Sequence, residues 1–335
     1  MAARLRAQCL TGPRPADVRT VVRRLVGLQA QDRRANRLAV RVRTAGLTAI
    51  DVDKAVAERS VVRTWAMRGT LHMLAAEDVG WITGLLGPRF AARFAGRRRQ
   101  LGLDEPILAA AMAALPDILT GATLTRANLV EQLIARGVAI DPTGQAPAHL
   151  VAYAAMTGVL CRATEIGDEP TYALLDEWID AGSPIDPDTA TARLAERYLT
   201  GYGPAEPEDF ATWAGLPVNQ ARTAFESITR SAFPAEPERS VRLLGHFDAY
   251  LLGYRDRSGV VPPEHDKAIQ AGGGFVMPAV AVDGRIVGTW QQQHRAKRLD
   301  VVVQPFTTIP RRAIPGLRAE VADLGRFLGV ETELA

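Results

Sequence analysis

The chain has 335 residues, 47% hydrophobic and 23% charged, which suffices for one large core or two to three small ones and excludes a disordered or fibrous protein. No apolar run reaches the roughly 20 residues of a membrane span, and the opening MAARLRAQCL lacks the apolar stretch of a secretory signal, so the expectation is a cytoplasmic protein without a membrane partner. A net charge of +3 conceals an asymmetry: residues 1–100 carry 20 Lys and Arg against 7 Asp and Glu, whereas the remainder carries 20 against 30, so the positive charge sits in one segment able to neutralise phosphates.

In chain order, apolar periodicity predicts a helix over 16–28 and another over 50–58, then strands at 61–65 and 70–74 and a long arginine-bearing helix over 77–99. Helices follow at 107–119, at 125–136, where Gly137 ends the element, and at 146–157. Two short apolar runs, 159–164 and 171–175, then read as a hairpin. Three helices and a hairpin in that order make a winged helix. A second copy of its helical part is predicted at 188–230, with helices over 189–199, 206–214 and 217–228, and the first hundred residues read as an irregular third. From 241 the texture turns to β, with strands at 241–244, 250–254, 274–282, 285–290 and 299–304, an Asp283-Gly284 turn, and a closing helix over 314–328. Gly272-Gly273-Gly274 reads as the entry to a strand.

The predicted fold class is therefore α+β and mainly helical: tandem winged helix-turn-helix repeats followed by a C-terminal β-rich region. The predicted divisions are 1–103, 104–184, 185–240 and 241–335.

Two cysteines are too few for a disulfide framework, and the five histidines form no metal-ligand spacing with them. No phosphate-cradling GxxxxGK[ST] loop, strand-coupled GxGxxG or GxSxG elbow is present. The expectation is a protein with no cofactor and no metal, and no obligate protein partner is indicated. On the first helix Val18, Val22 and Leu25 form an apolar stripe whose next position is Gln29. Gln31, two residues on, converges with it only if the helix ends between them. Taken by themselves, the two amides read as solvated glutamines at a helix end.

Longer stretches narrow that choice. Leu28-Gln29-Ala30-Gln31-Asp32, the run from Arg63 through Trp65, Arg68 and Thr70 to His72, the run from His246 through Asp248 and Tyr254 to Arg257, and the run from Asp283 to Trp290 together resemble the winged-helix DNA glycosylases. That family includes AlkZ-type azinomycin-resistance enzymes and YcaQ-type cross-link enzymes. The resemblance implies excision of bulky N7-alkylated purines from double-stranded DNA, with cross-links left open, in repair or in self-resistance to a genotoxic metabolite. It implies catalysis by Gln29 and Gln31, which match the glutamine-apolar-glutamine motif of the AlkZ-type branch. The cross-link branch carries aspartate where Gln31 stands.

Candidate DNA contacts are Arg33, Arg34, Arg68, His72, Arg93, Arg97 and Arg98, and candidates for supporting the site are Trp65, Asp248, Arg255 and Arg257. For several of these an ordinary structural role competes: Trp65 in a core, His72 as a satisfied histidine, and the arginine run as a solvated face. A winged-helix regulator without enzymatic activity is the alternative. Against it, the helix predicted at 146–157 contains no Arg, Lys, Asn or Gln with which to read base edges.

Overall fold

The computed structural model describes residues 1–182, 185–228, 236–296 and 298–335. They form two compact units, Met1–Lys54 with Leu194–Ala335, and Ala55–Arg193. The fold is mixed α/β and about half helical. The end of the copy predicted at 188–230, residues 229–230, lies outside the described residues.

The first unit opens with α1 (Ala2–Ala7) and α2 (Val18–Arg24), the latter started by the Asp17 carboxylate, which accepts from the Thr20 N–H at 2.7 Å. The helix predicted over 16–28 ends at Arg24, because Val26 and Gly27 reverse the chain with φ of 54° and 109°. A short extended segment, β1 (Leu28–Gln29), leads to α3 (Arg33–Arg41), a helix the sequence reading did not foresee. From there α4 (Ala49–Ala57) carries the chain towards the second unit.

In the second unit β2 (Val61–Trp65) and β3 (Leu71–Ala75) pair antiparallel, with Val61 opposite Ala75 and Trp65 opposite Leu71, close to the predicted strands. The predicted 77–99 helix is two helices, α5 (Ala76–Arg93) and α6 (Ala95–Gln100). They are separated by a one-residue interruption at Phe94, two residues before the poor helix former Gly96.

Next come α7 (Glu105–Leu119), β4 (Leu124–Thr125), α8 (Arg126–Ala135), α9 (Ala146–Met156), β5 (Leu160–Arg162), β6 (Thr171–Leu174) and the short α10 (Leu175–Trp178). Asp104 and Thr125 cap α7 and α8 by accepting from the N–H groups of Ile107 and Asn128. Leu108, Ala111 and Leu115 of α7 face Leu129 and Leu133 of α8 and Leu150 and Ala154 of α9 in one buried cluster. Within this unit the strands run in the order β3-β2-β5-β6-β4.

The chain returns to the first unit along α11 (Pro187–Tyr202), followed by α12 (Pro207–Ala214) and α13 (Val218–Glu226). Glu206 and Asp209 form a reciprocal capping box at the start of α12. Then come β7 (Val241–Leu244), α14 (Ala249–Leu252), α15 (Asp266–Ile269), β8 (Gln270–Gly272), β9 (Phe275–Val276), β10 (Ala279–Val282), β11 (Arg285–His294), β12 (Arg298–Pro305), α16 (Ile314–Leu328) and β13 (Glu331–Leu334). The sheet β13-β12-β11-β10-β7 curls into a half-barrel, and Leu317, Val321 and Leu324 of α16 pack on it. Asp283 and Gly284, with φ of 50° and 83°, make the tight turn expected between β10 and β11.

Two predicted strands need correction. Residues 250–254 are not extended: the Asp248 carboxylate accepts from the Tyr250 N–H at 2.9 Å and starts α14, and the buried set Tyr250, Leu251 and Tyr254 has helical spacing. The strand predicted over 274–282 is broken between β9 and β10, where Met277 and Pro278 interrupt the ladder.

Candidate active site

The glutamines lie in the first unit, in the segment between α2 and α3. From Leu28 to Gln31 burial alternates: Leu28 and Ala30 are buried, Gln29 is half-buried and Gln31 is exposed. Extended backbone turns alternate side chains to opposite sides, so both amides leave the core side together. The Gln29 Nε2 donates to the Gln31 Oε1 at 2.6 Å. The amides thus converge, through an extended segment rather than a helix ending between them.

Two side chains hold this segment to the start of α3. The Asp32 carboxylate accepts from the Ala35 N–H at 2.9 Å and caps the helix, and the Asn36 Nδ2 donates to the backbone carbonyl of Gln29 at 3.1 Å. Arg33 and Arg37 both reach Asp53 on α4, Arg33 at 3.1 Å and Arg37 through two contacts. Asn36, Arg37 and Asp53 were missed in the sequence, although Ala35, Leu38, Ala39 and Val42 at i, i+3, i+4 and i+7 behind the capping Asp32 signal the helix that carries them. Arg34 is exposed and lines a cleft of about 410 Å³ together with Arg37, His294, Arg295 and Arg298.

Chemically, the pair offers neutral donors and acceptors. After the bond to Gln29, the Gln31 Oε1 retains a second lone pair and the Gln31 amide both its N–H groups. Such a pair can hold a water and present oxygen lone pairs to a cationic centre without itself titrating. Among the described residues no group of three His, Cys, Asp or Glu side chains is placed to hold a metal ion. No helix among them is long and apolar enough to cross a membrane.

Asp248, in this same unit, is fully buried, where it pairs with Arg43 at 2.6 and 2.9 Å and caps α14. Its contacts brace the fold in the interior, at a position offered by the sequence as a possible support of the site. Arg255 is exposed, its N–H donating to Asp209 at 2.9 Å, while Arg257 is half-buried beside Asp266.

The remaining predicted positions lie in the second unit. Arg68 is half-buried at the β2–β3 turn with φ of 58°, and Trp65 packs partly against the α7–α9 core. Arg93 and Arg97 are exposed, and Arg97 bonds Gln100 and Gln145. Arg98 is buried, its guanidinium 4.4 Å from the centre of the Tyr153 ring, so it packs α6 onto α9 and is not presented to phosphate as predicted.

His72 is also no surface contact. It is 3% exposed in β3, with its Nδ1 2.9 Å from the Thr70 carbonyl. Burial, and then the nearby Arg68 charge, push its pKa from 6.5 down to about 3, so the ring is neutral with Nδ1–H donating. Because the unfolded chain takes up this proton first, its contribution to stability is intact above 6.5 and is lost as pH falls from there towards about 3. Thermal melting across that window is expected to show the parent losing stability more steeply than His72→Phe; parallel curves would contradict this assignment.

A family model described as DNA glycosylase AlkZ-like matches residues 22–327. An interstrand DNA cross-link repair glycosylase of Streptomyces sahachiroi is 31% identical over 349 residues, covering 96% of this chain and 92% of the relative. The structure of the Streptomyces sahachiroi DNA glycosylase AlkZ is similar with a TM-score of 0.81 at 28% identity, covering 100% of this chain and 98% of that one.

Proposed function

Since this chain belongs to the AlkZ-like DNA glycosylase family, and is a DNA glycosylase of DNA repair, we propose that it hydrolyses the N-glycosidic bond of bulky N7-alkylated purines in double-stranded DNA, with Gln29 and Gln31 as the catalytic pair. The observation that carries this reading is the 2.6 Å bond between the two amides on a segment clasped by Asp32 and Asn36.

An N7-alkylated purine already bears a positive charge and departs without a proton donor. The protein has only to position water at C1′ and stabilise the oxocarbenium-like sugar as the bond breaks. Carboxamide oxygens do both, and being neutral they do not hold the cationic base tightly before cleavage. The Gln-x-Gln arrangement supports assignment to the AlkZ-type branch. Interstrand cross-links, which the Streptomyces relative is named for, are a further substrate. The reaction is at work in the cytoplasm, in repair or in self-resistance to a genotoxic metabolite.

The order α7, β4, α8, α9, β5, β6 is that of a winged helix, and we read 1–103, 104–184 and 185–240 as three such modules before the β-rich region at 241–335. Arg33, Arg34, Arg68, Arg93 and Arg97 supply phosphate contacts that position DNA without reading its sequence. Incubation with a duplex holding one N7-alkylguanine is expected to yield the free base and an abasic site. A series of N7 adducts of rising size and a cross-linked duplex then ranks the substrates. Failure to release any cationic purine adduct would overturn the proposal.

A further inference from the structure

We infer that Asn36 is a positioning residue for the amide pair, holding the Gln29 carbonyl so that the two glutamine side chains meet. This rests on the reading of Gln29 and Gln31 as the catalytic pair. Asn36 is fully buried among apolar neighbours on α3, including Ala35, Leu38, Ala39 and Val40. Its Nδ2 donates to the Gln29 carbonyl at 3.1 Å, and because that partner only accepts, the amide orientation is settled with Nδ2 towards Gln29. Its Oδ1 is buried and has no hydrogen-bond partner among the described residues. A residue present for packing alone would be apolar here, since a buried carboxamide with an unmatched oxygen weakens a core.

What the carboxamide supplies is control over one peptide group. The held carbonyl belongs to the Gln29–Ala30 peptide, the link between the two catalytic side chains, and its tilt sets whether extended backbone brings them to the same side. With Asp32 capping α3 at the other end of the segment, both ends of Gln29-Ala30-Gln31-Asp32 are tied to one helix. Asn36 touches neither glutamine amide in the contacts it makes, and so acts through the backbone.

The test uses the full chain, a duplex with one N7-methylguanine, and the variants Asn36→Asp and Asn36→Leu. In Asn36→Asp an ionised carboxylate would set acceptor against acceptor at the Gln29 carbonyl, whereas the protonated acid would donate to it. Burial raises the carboxyl pKa and brings this change into an accessible range. Single-turnover excision by Asn36→Asp is expected to be about 10-fold slower than the parent near ~pH 8 and to approach it near ~pH 5.5, with duplex affinity unchanged within about twofold. Asn36→Leu is expected to be slow throughout. Asp32, Arg33 and Arg37 of the same helix region and Asp53 of α4 are present in the parent too, so its profile is the reference for their titration. Release by Gln29→Ala/Gln31→Ala at each pH is subtracted as background, and melting curves establish that each variant is folded.

An Asn36→Asp profile parallel to the parent at parental rates, with the double glutamine variant inactive, overturns the role of Asn36 alone. A double glutamine variant that excises as the parent does overturns the reading of the pair, and the role of Asn36 with it.

Discussion

Replacing Gln31 by alanine is expected to slow single-turnover excision about 10²-fold, the scale of losing one preorganised polar group, while DNA affinity changes little. The expectation follows from exposure and geometry: Gln31 is the exposed member of the pair, and its Oε1 receives the Gln29 Nε2 at 2.6 Å. Gln29→Ala should behave similarly. Because the two amides act on one water, the double variant should lose less than the product of the single effects. Gln31→Asp is expected to retain activity, with the carboxylate serving as a general base. Quenched-flow or manual time courses with enzyme in excess measure all four, and a loss confined to affinity would mean that Gln31 binds DNA without taking part in the chemistry.

The largest effect on stability is expected from Arg43→Met. Arg43 and Asp248 are both fully buried and joined by hydrogen bonds of 2.6 and 2.9 Å, with Gln8 adding a third contact to the guanidinium at 3.1 Å. Removing the arginine leaves a carboxylate without a counter-charge in the interior, which costs about 3–5 kcal/mol. Pairing the change with Asp248→Asn removes that charge and is expected to restore part of the loss, since an asparagine still caps α14. Denaturant unfolding of the single and double variants measures both. A single variant within about 0.5 kcal/mol of the parent would contradict the assignment of this pair as a brace of the fold.

These two sites differ in how much of them can be read along the chain. The helices α7 and α8 were legible because Asp104 and Thr125 stand at their starts and apolar residues recur behind them, and the β10–β11 turn because Asp283-Gly284 favours positive φ at both positions. The convergence of Gln29 and Gln31 was legible as a motif but not as a geometry. The reversal before them is announced by Gly27, but the positive φ of Val26 beside it is not.

Asp248 looked like a site residue because its partner, Arg43, lies 205 positions earlier, and spacing along the chain carries no signal of a pairing that distant. His72 and Arg98 stood as candidate DNA contacts for a related reason. A polar side chain in a basic stretch gives no sign of whether a neighbouring element covers it, and here Tyr153 of α9 covers Arg98. Residues 250–254 were misread because a short run of aromatic and apolar residues fits a buried strand as well as a helix, while the stronger local signal, Asp248 capping the turn that begins at Ala249, starts a helix.

The most direct test of the central claim compares the parent with folded Gln29→Ala/Gln31→Ala on one duplex containing a single N7-alkylguanine, with enzyme in excess and the free base quantified by mass spectrometry. The parent is expected to release the base and leave an abasic site, and the double variant to bind the same duplex with similar affinity yet release the base at least about 10²-fold more slowly. Release by the folded double variant at the parental rate would contradict the claim that this amide pair is the catalytic centre.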